Sequence, residues 1–498
     1  MTPPSPWSFR VAYAAWLFGV FAFFVPASTW NPASRFALVR AIVEHGTFSI
    51  NNYSPTTGDR ALVHGQWYSD KAPIPSLLAV PTYAAVHWLQ AARGAHVGYR
   101  SIDMSAAHLE PNAAFQQALH ACSLATAGMA GIAIALLLFE LVRRRADSRA
   151  AFVASSLAVL ATPVLLYATS FYGHVIAGAA LLGAIVALDP HRGGTDRGQP
   201  SSFRLRIAGA CLALAPGCEY ITAVPVALIG LSFLSCARPR HIPRMLVNLG
   251  LGAALPILVV SGYHTVAFGA PWRTGYSFLV QPDFASGHAH GVLGVGVPRW
   301  EALLGLTMGT RCGLFFLSPV LLVGLSVGAW RAARSRDVAV GAGLAAFVCL
   351  LLVNSGYYMW WGGSAAGPRH LVPCIAMVAV GLAFALRSRR AWLSRMTIGL
   401  AALSTAIQVA LALVGIEPPE PENMLTGYLW PALRSADFAV SSGASNWGLS
   451  LGLPRALSPL PLLIWLPLGY FYLWRRAGSL AAIHGEADRV PASWRTAS

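Results

Sequence analysis

Two aspartates and a lysine stand together in one polar stretch of an otherwise apolar chain. Residues 28–73 contain Asp59 and, further on, the adjacent Asp70 and Lys71. A carboxylate at a membrane surface can act as a general base on a hydroxyl or an amine, and a neighbouring lysine can stabilise a phosphate leaving group. The alternative is a solvated loop with an Asp–Lys pair and a turn before Pro73.

Arginines beside aromatic or glycine-rich segments are the candidates for binding a phosphate. Arg273 lies between aromatic residues, shortly before Tyr276, and Arg369 follows the glycine-rich segment 362–367. Backbone N–H groups in such a turn approach an anion closely, and a guanidinium can donate two parallel hydrogen bonds to phosphate. Arg311 opens a later apolar segment, where its alternative role is to anchor a helix end at the membrane surface.

Aromatic side chains near these charges are candidates for a sugar pocket. Trp67, Trp360 and Trp361 flank the charged stretches and suit the apolar faces of a sugar, although such residues also form the interfacial belt of membrane proteins. His174 and Glu219 stand at junctions between apolar segments. Both remain open as cavity residues or as satisfied structural groups.

The composition defines the setting of these residues. Of 498 residues, 56% are apolar and 11% are charged, with a mean hydropathy of +0.56. Soluble chains carry about 25% charged residues, whereas the apolar runs of this chain have the length that crosses a hydrocarbon core of about 30 Å. The prediction is an all-α polytopic membrane protein. The seven cysteines lie in or beside apolar runs, without the spacing of a zinc site or a disulfide framework.

The apolar runs predict about twelve membrane crossings. They are placed at 11–27, 117–142, 150–170, 174–189, 205–217, 220–236, 246–267, 312–330, 338–356, 369–387, 394–416 and 458–474. The segment 75–92 carries two prolines and is predicted to lie along the membrane or to re-enter it. Asn31 to His45 predicts an amphipathic helix on the membrane, and Asn51 to Gly65 predicts an irregular segment.

The net charge of +16 comes from short basic clusters between the apolar runs. Such clusters orient membrane proteins with their basic loops in the cytoplasm, and a nucleic-acid-binding domain would be compact and basic instead. We therefore expect both termini in the cytoplasm and all candidate residues on the other side. The predicted extracytoplasmic loops are 28–116, 268–311, 357–369 and 417–457. They belong to one transmembrane domain, 1–475, followed by a disordered cytoplasmic tail, 476–498.

Four stretches carry a resemblance to a known superfamily. TGDRALVHGQWYSDKAP, FGAPWRTGY, RCGLFFLSP and YMWWGGSAAGPRHLVP, with the long first loop and the helices behind it, resemble the GT-C membrane glycosyltransferases over about residues 10–475. The organisation is most similar to the bacterial protein-mannosyltransferase and aminoarabinose-transferase group. One departure is clear: the superfamily commonly places an acid directly after the first crossing, but residues 28–31 are Ser-Thr-Trp-Asn, and the first acid is Glu44.

The resemblance implies a glycosyltransferase at the extracytoplasmic face of the bacterial inner membrane. It would move a sugar from a polyprenyl-phosphate donor to a lipid, glycan or protein acceptor, in contact with membrane lipid and without nucleic acid. The catalytic carboxylate then falls to Asp70 or Asp59, ahead of Glu44. The implied substrate- and phosphate-binding residues are Lys71, Arg273, Arg369, Arg311, Tyr276, Trp360, Trp361, Trp67 and His174.

Two questions stay open at this level. No cofactor is implied, and a divalent metal is left open, because His288 and His290 do not have a specific ligand spacing. The alternative functions are a transporter or flippase for a lipid-linked or anionic solute, and a non-catalytic scaffold. A transporter would favour ionisable residues at mid-membrane, where this chain has few beyond Glu219.

Overall fold

The computed structural model describes residues 5–101, 109–192, 200–435 and 445–483, which are mostly helical. The N-terminal half contains α1 Pro6–Phe23, α2 Trp30–His45, α3 Ile74–Ala91, α4 Ala113–Ser123, α5 Met129–Arg143, α6 Ser148–Leu160, α7 Val164–Ala168, α8 His174–Leu188, α9 Ser202–Cys218, α10 Ala223–Ser235 and α11 Ile242–Phe268. The C-terminal half contains α12 Pro282–His288, α13 Trp300–Thr307, α14 Leu314–Leu317, α15 Val320–Ser335, α16 Val338–Gly356, α17 Val372–Val378, α18 Leu382–Leu386, α19 Ala391–Val414, α20 Trp430–Arg434, α21 Trp447–Ser450 and α22 Leu460–Ile483.

Strands are few and form three short antiparallel pairs in the described part of the chain. They are β1 Phe24–Val25 with β6 Ser445–Asn446, β2 Arg60–Val63 with β3 Gln66–Ser69, and β4 Tyr99–Ser101 with β5 Leu109–Pro111. The β2–β3 hairpin corrects the prediction of an irregular segment at 51–65. A 3-10 helix, Asn51–Thr56, precedes it.

Six helices in the described ranges are long and apolar enough to cross a membrane. They are Ala113–Arg143, Pro239–Phe268, Val338–Gly356, Arg369–Leu386, Ala391–Val414 and Arg455–Leu480. Shorter apolar helices are Ser148–Leu160, His174–Leu188 and Tyr220–Ser235. The predicted number of twelve crossings is therefore not confirmed, and α3, which coincides with the segment 75–92, is not among the six.

Two predicted crossings are interrupted at a proline. The run 150–170 is divided into α6 and α7 at Pro163, and the run 312–330 into α14 and α15 at Pro319. Proline lacks an N–H and its ring clashes with the preceding turn, so a helix ends or bends before it. At the other end of the chain, α22 continues to Ile483, past the predicted domain boundary at 475, and residues 484–498 of the predicted tail lie outside the described ranges.

Helix α2 lies inside the protein. Its predicted bounds are confirmed to within a residue, but every residue from Asn31 to Ala41 is buried, so the helix does not present a polar face at a membrane surface. Phe36 packs edge-to-face against Tyr83 of α3, with ring centroids 5.1 Å apart. The interior position of α2 brings its polar residues into the centre of the structure.

A buried ion-pair cluster fixes one end of the helix bundle. Arg145 follows α5, and its guanidinium lies 2.9 Å from Asp189 Oδ1 and 2.8 Å from Asp337 Oδ2. Asp189 caps the C-terminal end of α8, which begins at His174 and has 15 residues. Because an α-helix rises about 1.5 Å per residue, this cluster and His174 are about 22 Å apart along the helix axis.

Candidate active site

The β2–β3 hairpin places the two predicted catalytic acids side by side. Its turn is His64-Gly65, both with positive φ (47° and 76°), as the common two-residue hairpin turn requires. Arg60 pairs with Ser69, so Asp59 and Asp70 follow as neighbours at the open end of the hairpin. Asp59 and Asp70 are separated in sequence, but they lie side by side because the hairpin reverses the direction of the chain.

Lys71 joins the two acids. Its Nζ lies 2.9 Å from Asp59 Oδ2 and 3.2 Å from Asp70 Oδ2. Burial and the neighbouring Asp59 raise the pKa of Asp70 to about 6, against the opposing effect of Lys71. Burial disfavours the charge on Lys71, but the two carboxylates outweigh it and raise its pKa. The three groups form one enclosed, electrostatically linked cluster.

Helix α2 binds both sides of this cluster through two of its side chains. Ser34 Oγ donates to the Asp59 carbonyl at 2.5 Å and lies 2.7 Å from Ser69 Oγ. Arg35, next along the helix, donates from Nη1 to the Ala72 carbonyl at 3.1 Å. Both ends of the hairpin are thereby attached to one helix.

Arg35 also forms a second buried ion pair, with Glu219. Arg35 Nη2 lies 2.7 Å from Glu219 Oε1, and the Arg35 side chain is 1% exposed. Burial raises the pKa of Glu219, although Arg35 and Lys71 act in the opposite direction. His174 Nδ1 lies 3.5 Å from the same oxygen. Glu219, which the sequence left undecided, is therefore a buried acid paired with a cation.

The glycine-rich segment brings Arg369 to the cluster. Gly362, Gly363 and Gly367 have φ of 83°, 71° and 77°, a region that side chains other than glycine rarely adopt. The Arg369 guanidinium lies 5.9 Å from the Tyr172 ring and interacts electrostatically with Asp59. Its Nε is buried and makes no hydrogen bond within the described residues. A buried donor of this kind is suited to an anion.

Glu417 is a site residue that the sequence analysis missed. Its Oε1 accepts hydrogen bonds from the Thr29 hydroxyl and the Tyr172 hydroxyl, and it interacts electrostatically with Arg369. Burial raises the pKa of Glu417, against the effects of these partners. Segment 28–31 contains no acid of its own, but its Thr29 contacts a carboxylate from a segment far along the chain. An acid directly after a long apolar helix, α19, was the available signal.

Aromatic and histidine rings line the space between these groups. Tyr276 stacks on His288 at 4.2 Å between ring centroids, and His288 Nε2 lies 3.3 Å from the Tyr357 hydroxyl. His370 lies edge-on to both His174 and Tyr357, at 5.5 Å from each. A Cβ on Gly275 would lie 2.5 Å from Asp70 Cα, so the loop that carries Tyr276 packs directly on the cluster.

An apolar groove leads to this site. It has a volume of about 580 Å³ and runs along α9, α10 and α11. Its polar end contains Tyr220, His264 and Thr274. The Tyr220 ring packs edge-to-face on Tyr276 at 5.5 Å, and Tyr276 is close enough to Lys71 to interact electrostatically. Tyr220 and Tyr276 thus connect the groove with the charged cluster.

Several predicted residues lie further from the cluster. Arg273 is exposed and forms no ion pair in the described ranges. Trp67 contacts Arg60, whose guanidinium lies 4.1 Å from its ring, on the hairpin itself. Arg311 pairs with Glu420 and lies 5.4 Å from the Trp361 ring.

The two neighbouring tryptophans are closer to Arg369. Trp360 and Trp361 lie edge-to-face with ring centroids 5.8 Å apart. Trp361 Nε1 is buried without a hydrogen-bond partner within the described residues, and a Cβ on the next residue, Gly362, would lie 3.1 Å from Arg369 Cγ. This pair borders the arginine but makes no direct contact with the Asp59–Lys71–Asp70 cluster.

The arrangement does not fit a divalent metal as it stands. Within the described ranges, no group of three His, Cys, Asp or Glu side chains gathers as metal ligands. The position between Asp59 and Asp70 is taken by the ammonium of Lys71. Both acids are therefore already paired with a cation of the chain itself.

The protein combines a largely helical fold, with helices long and apolar enough to cross a membrane, and a buried polar site close to an apolar groove. No protein-family model and no curated protein matches the chain. Among solved structures, it is similar to ArnT from Cupriavidus metallidurans in the apo state, with a TM-score of 0.50 and 15% identity over 95% of this chain and 76% of ArnT. ArnT bound to undecaprenyl phosphate gives a TM-score of 0.48 and 13% identity over 97% and 77%.

The oligosaccharyltransferase of Archaeoglobus fulgidus in the apo form is a third similar structure. Its TM-score is 0.48 and its identity 13%, over 83% of this chain and 56% of the enzyme. The likeness to apo ArnT concerns the fold, and ArnT is a GT-C protein. The chain therefore has a GT-C fold, as the resemblance in its motifs predicts.

Proposed function

We propose that this protein is a membrane glycosyltransferase that uses a polyprenyl-phosphate-linked sugar. The observation that carries the proposal is the position of the apolar groove near the Asp59–Lys71–Asp70 cluster, to which Tyr220 and Tyr276 connect it. A lipid phosphate would fit this arrangement, because its apolar tail can lie in the groove while its anionic head lies at the cluster. The GT-C fold supports this assignment.

Lys71 and Arg369 would hold the phosphate. Both are charged side chains in a buried setting, where fixed cations stabilise developing negative charge more strongly than in water. Arg369 has a free buried Nε within the described residues, and Lys71 interacts electrostatically with Tyr276, which connects the cluster with the groove. Arg273, on an exposed loop near the groove, is proposed to act at the entrance rather than at the reacting phosphate.

The reaction would be a displacement at the sugar C1 atom. The acceptor oxygen or nitrogen forms a bond to C1, the bond between C1 and the phosphate oxygen breaks, and the phosphate leaves with the electron pair. A carboxylate takes the acceptor's proton. Asp70 and Asp59 are the predicted acids, and Glu417 is a third carboxylate of the same site. Trp360, Trp361 and His174 are proposed to border the sugar, with Trp67 on the outer side of the hairpin.

The proposed location of the site is the extracytoplasmic side of the bacterial inner membrane. Helix α8 supports this side, because His174 at its start belongs to the site, whereas Asp189 at its end pairs with Arg145 of a basic cluster. Basic clusters mark cytoplasmic loops. Acceptor and sugar are proposed only as classes: a hexose or pentose, and a lipid, glycan or protein.

The test is transfer of a labelled sugar from a polyprenyl-phosphate donor in membranes that contain the protein. We expect transfer by the wild type, and a loss of about 100-fold or more for Asp70→Asn and Asp59→Asn at equal protein levels. Undiminished transfer by both variants would remove the cluster from the reaction. Solute flux in proteoliposomes without any covalent product would instead support the transporter alternative.

A further inference from the structure

We infer that Glu417 is the carboxylate that takes the proton from the acceptor, and that Asp59 and Asp70 keep Lys71 in position. The inference rests on the proposed function and names the base of that same site. It is carried by three observations: the hydrogen-bond partners of Glu417, the enclosure of Asp70, and the place of Glu417 in the series of interactions that begins at the groove.

Glu417 is fixed by neutral partners. Its Oε1 accepts from two hydroxyls, those of Thr29 and Tyr172, and it forms no ion pair closer than 4 Å in the described ranges. The segment before it is attached to the glycine-rich loop, because Ala366 N donates to the Ile416 carbonyl at 2.8 Å. A carboxylate that is oriented by hydroxyls on one oxygen has its second oxygen available for a proton.

Asp70 and Asp59 are placed differently. Both carboxylates bind the same ammonium, that of Lys71. Asp70 is 1% exposed, its Oδ1 is buried, and the backbone of Gly275 packs against its Cα. This oxygen is therefore enclosed within the structure. Their geometry suits them to holding a lysine rather than to meeting a substrate.

The order of contacts puts Glu417 on the acceptor side. From the groove, Tyr220 contacts Tyr276, which interacts electrostatically with Lys71, and Lys71 binds Asp59. Asp59 in turn interacts electrostatically with both Arg369 and Glu417. A donor with its tail in the groove and its phosphate at Lys71 and Arg369 would present its sugar beyond the phosphate. Glu417 is partly exposed, and in this order it follows the cations that would hold the leaving group.

The proton balance is simple. The acceptor O–H or N–H loses its proton to the Glu417 carboxylate as its heteroatom bonds to C1, and the polyprenyl phosphate departs with the electrons of the C1–O bond. Glu417 then returns the proton to solvent. No oxidant, reductant or further reactant is required.

The experiment compares Glu417→Gln with Glu422→Gln in the full-length protein. Glu422 is an exposed acid in the same segment, so this control makes the same chemical change outside the site. We expect Glu417→Gln to lower kcat by about 100-fold or more with little change in the KM for the donor, and Glu422→Gln to match the wild type. Asp70→Asn should mainly raise the donor KM, because it disturbs Lys71.

Two further measurements separate a base from a structural residue. Glu417→Ala should regain activity with added formate, a small carboxylate that fills the vacated position, whereas Asp70→Ala should not. The rise of kcat with pH should be lost in Glu417→Gln. The groups that face Glu417 and would influence this titration are Thr29, Tyr172, Arg369 and Asp59.

The outcomes distinguish this inference from the proposed function. If the wild type transfers sugar and well-expressed Glu417→Gln keeps the wild-type kcat, or if formate rescues Asp70→Ala instead, then Glu417 is not the base although the enzyme assignment stands. If the wild type forms no product with any polyprenyl-phosphate sugar, the proposed function itself fails. Should Glu417→Gln not fold, Glu417→Asp is measured, with a partial kcat and a preserved pH rise expected.

Discussion

Lys71 Nζ lies 2.9 Å from Asp59 Oδ2, so one ion pair closes the open end of the β2–β3 hairpin. The same ammonium reaches Asp70, and the whole group is buried over helix α2. Lysine is therefore both the electrostatic partner of two acids and, in the proposed reaction, a contact to the phosphate. This double role makes its replacement informative.

Lys71→Met should lower kcat/KM for the donor by about 100-fold or more, because the phosphate loses a fixed cation in a buried site. It should also reduce the unfolding temperature in detergent, since two buried carboxylates lose their partner. Sugar transfer and thermal unfolding measure the two effects. Arg93→Gln, which changes an exposed cation at the end of α3, serves as the control and should leave both unchanged.

Arg35→Gln should destabilise the protein by about 3–5 kcal/mol, the usual cost of leaving one member of a buried ion pair alone. Glu219 would remain enclosed without its 2.7 Å partner. Unfolding in detergent gives the free-energy change. The double variant Arg35→Met with Glu219→Leu should recover part of the loss, and a double variant less stable than Arg35→Gln would contradict the pairing.

A partly exposed pair provides the comparison for this measurement. Arg10 lies 2.8 Å from Glu140, but the Arg10 side chain is 39% exposed. Such pairs contribute about 0–1 kcal/mol, so Arg10→Gln should change stability by no more than this. A similar loss for Arg10→Gln and Arg35→Gln would show that burial is not the deciding factor.

Donor binding should weaken as the pH falls through about 6, the raised pKa of Asp70. Below that pH the protonated carboxyl no longer holds the Lys71 ammonium in position for the phosphate, whereas above it the carboxylate maintains this ion pair. The phosphodiester of the donor does not titrate in this range. Tryptophan fluorescence titrations between pH 5 and 8 test this, and Asp70→Asn should flatten the dependence. An unchanged slope in that variant would assign the effect to another group.

The same raised pKa has a consequence for stability. A carboxyl that holds its proton more tightly in the folded state than in the unfolded one, where its pKa is about 3.9, favours folding at low pH and loses this contribution as pH rises through about 6. The difference in unfolding temperature between Asp70→Asn and the wild type should therefore grow from pH 4 to pH 7. A constant difference would show that the Asp70 pKa is not raised.

Filling the groove should impair long donors selectively. Ala213→Trp and Ala253→Trp place a large ring in the lining between α9 and α11. The KM for a long polyprenyl donor should rise about 10-fold or more, while a donor with a short isoprenoid tail should be little affected, because only the long tail needs the groove. Leu231→Trp, on the exposed side of α10, is the matched control. Equal effects on both donors would place the tail elsewhere.

The sequence by itself determined the class of fold and supplied candidates for the site. Apolar runs and their basic flanks predict a helical membrane protein, since crossing a hydrocarbon core requires long apolar segments. The motif resemblance predicts the GT-C fold that the similarity to apo ArnT shows. The sequence predicts Asp59, Asp70, Lys71 and Arg369 as candidate site residues, because charged residues are costly beside a membrane.

Only the tertiary structure decided how these residues meet. Arg35 was missed because helix α2 was expected on the membrane surface, whereas it is buried and turns its arginine to Glu219. Glu417 was missed because it stands in a different loop, and its contact with Thr29 spans 388 residues of chain. Local patterns report the environment of a segment, but they do not contain the contacts between segments that are remote in sequence, and those contacts assemble this site.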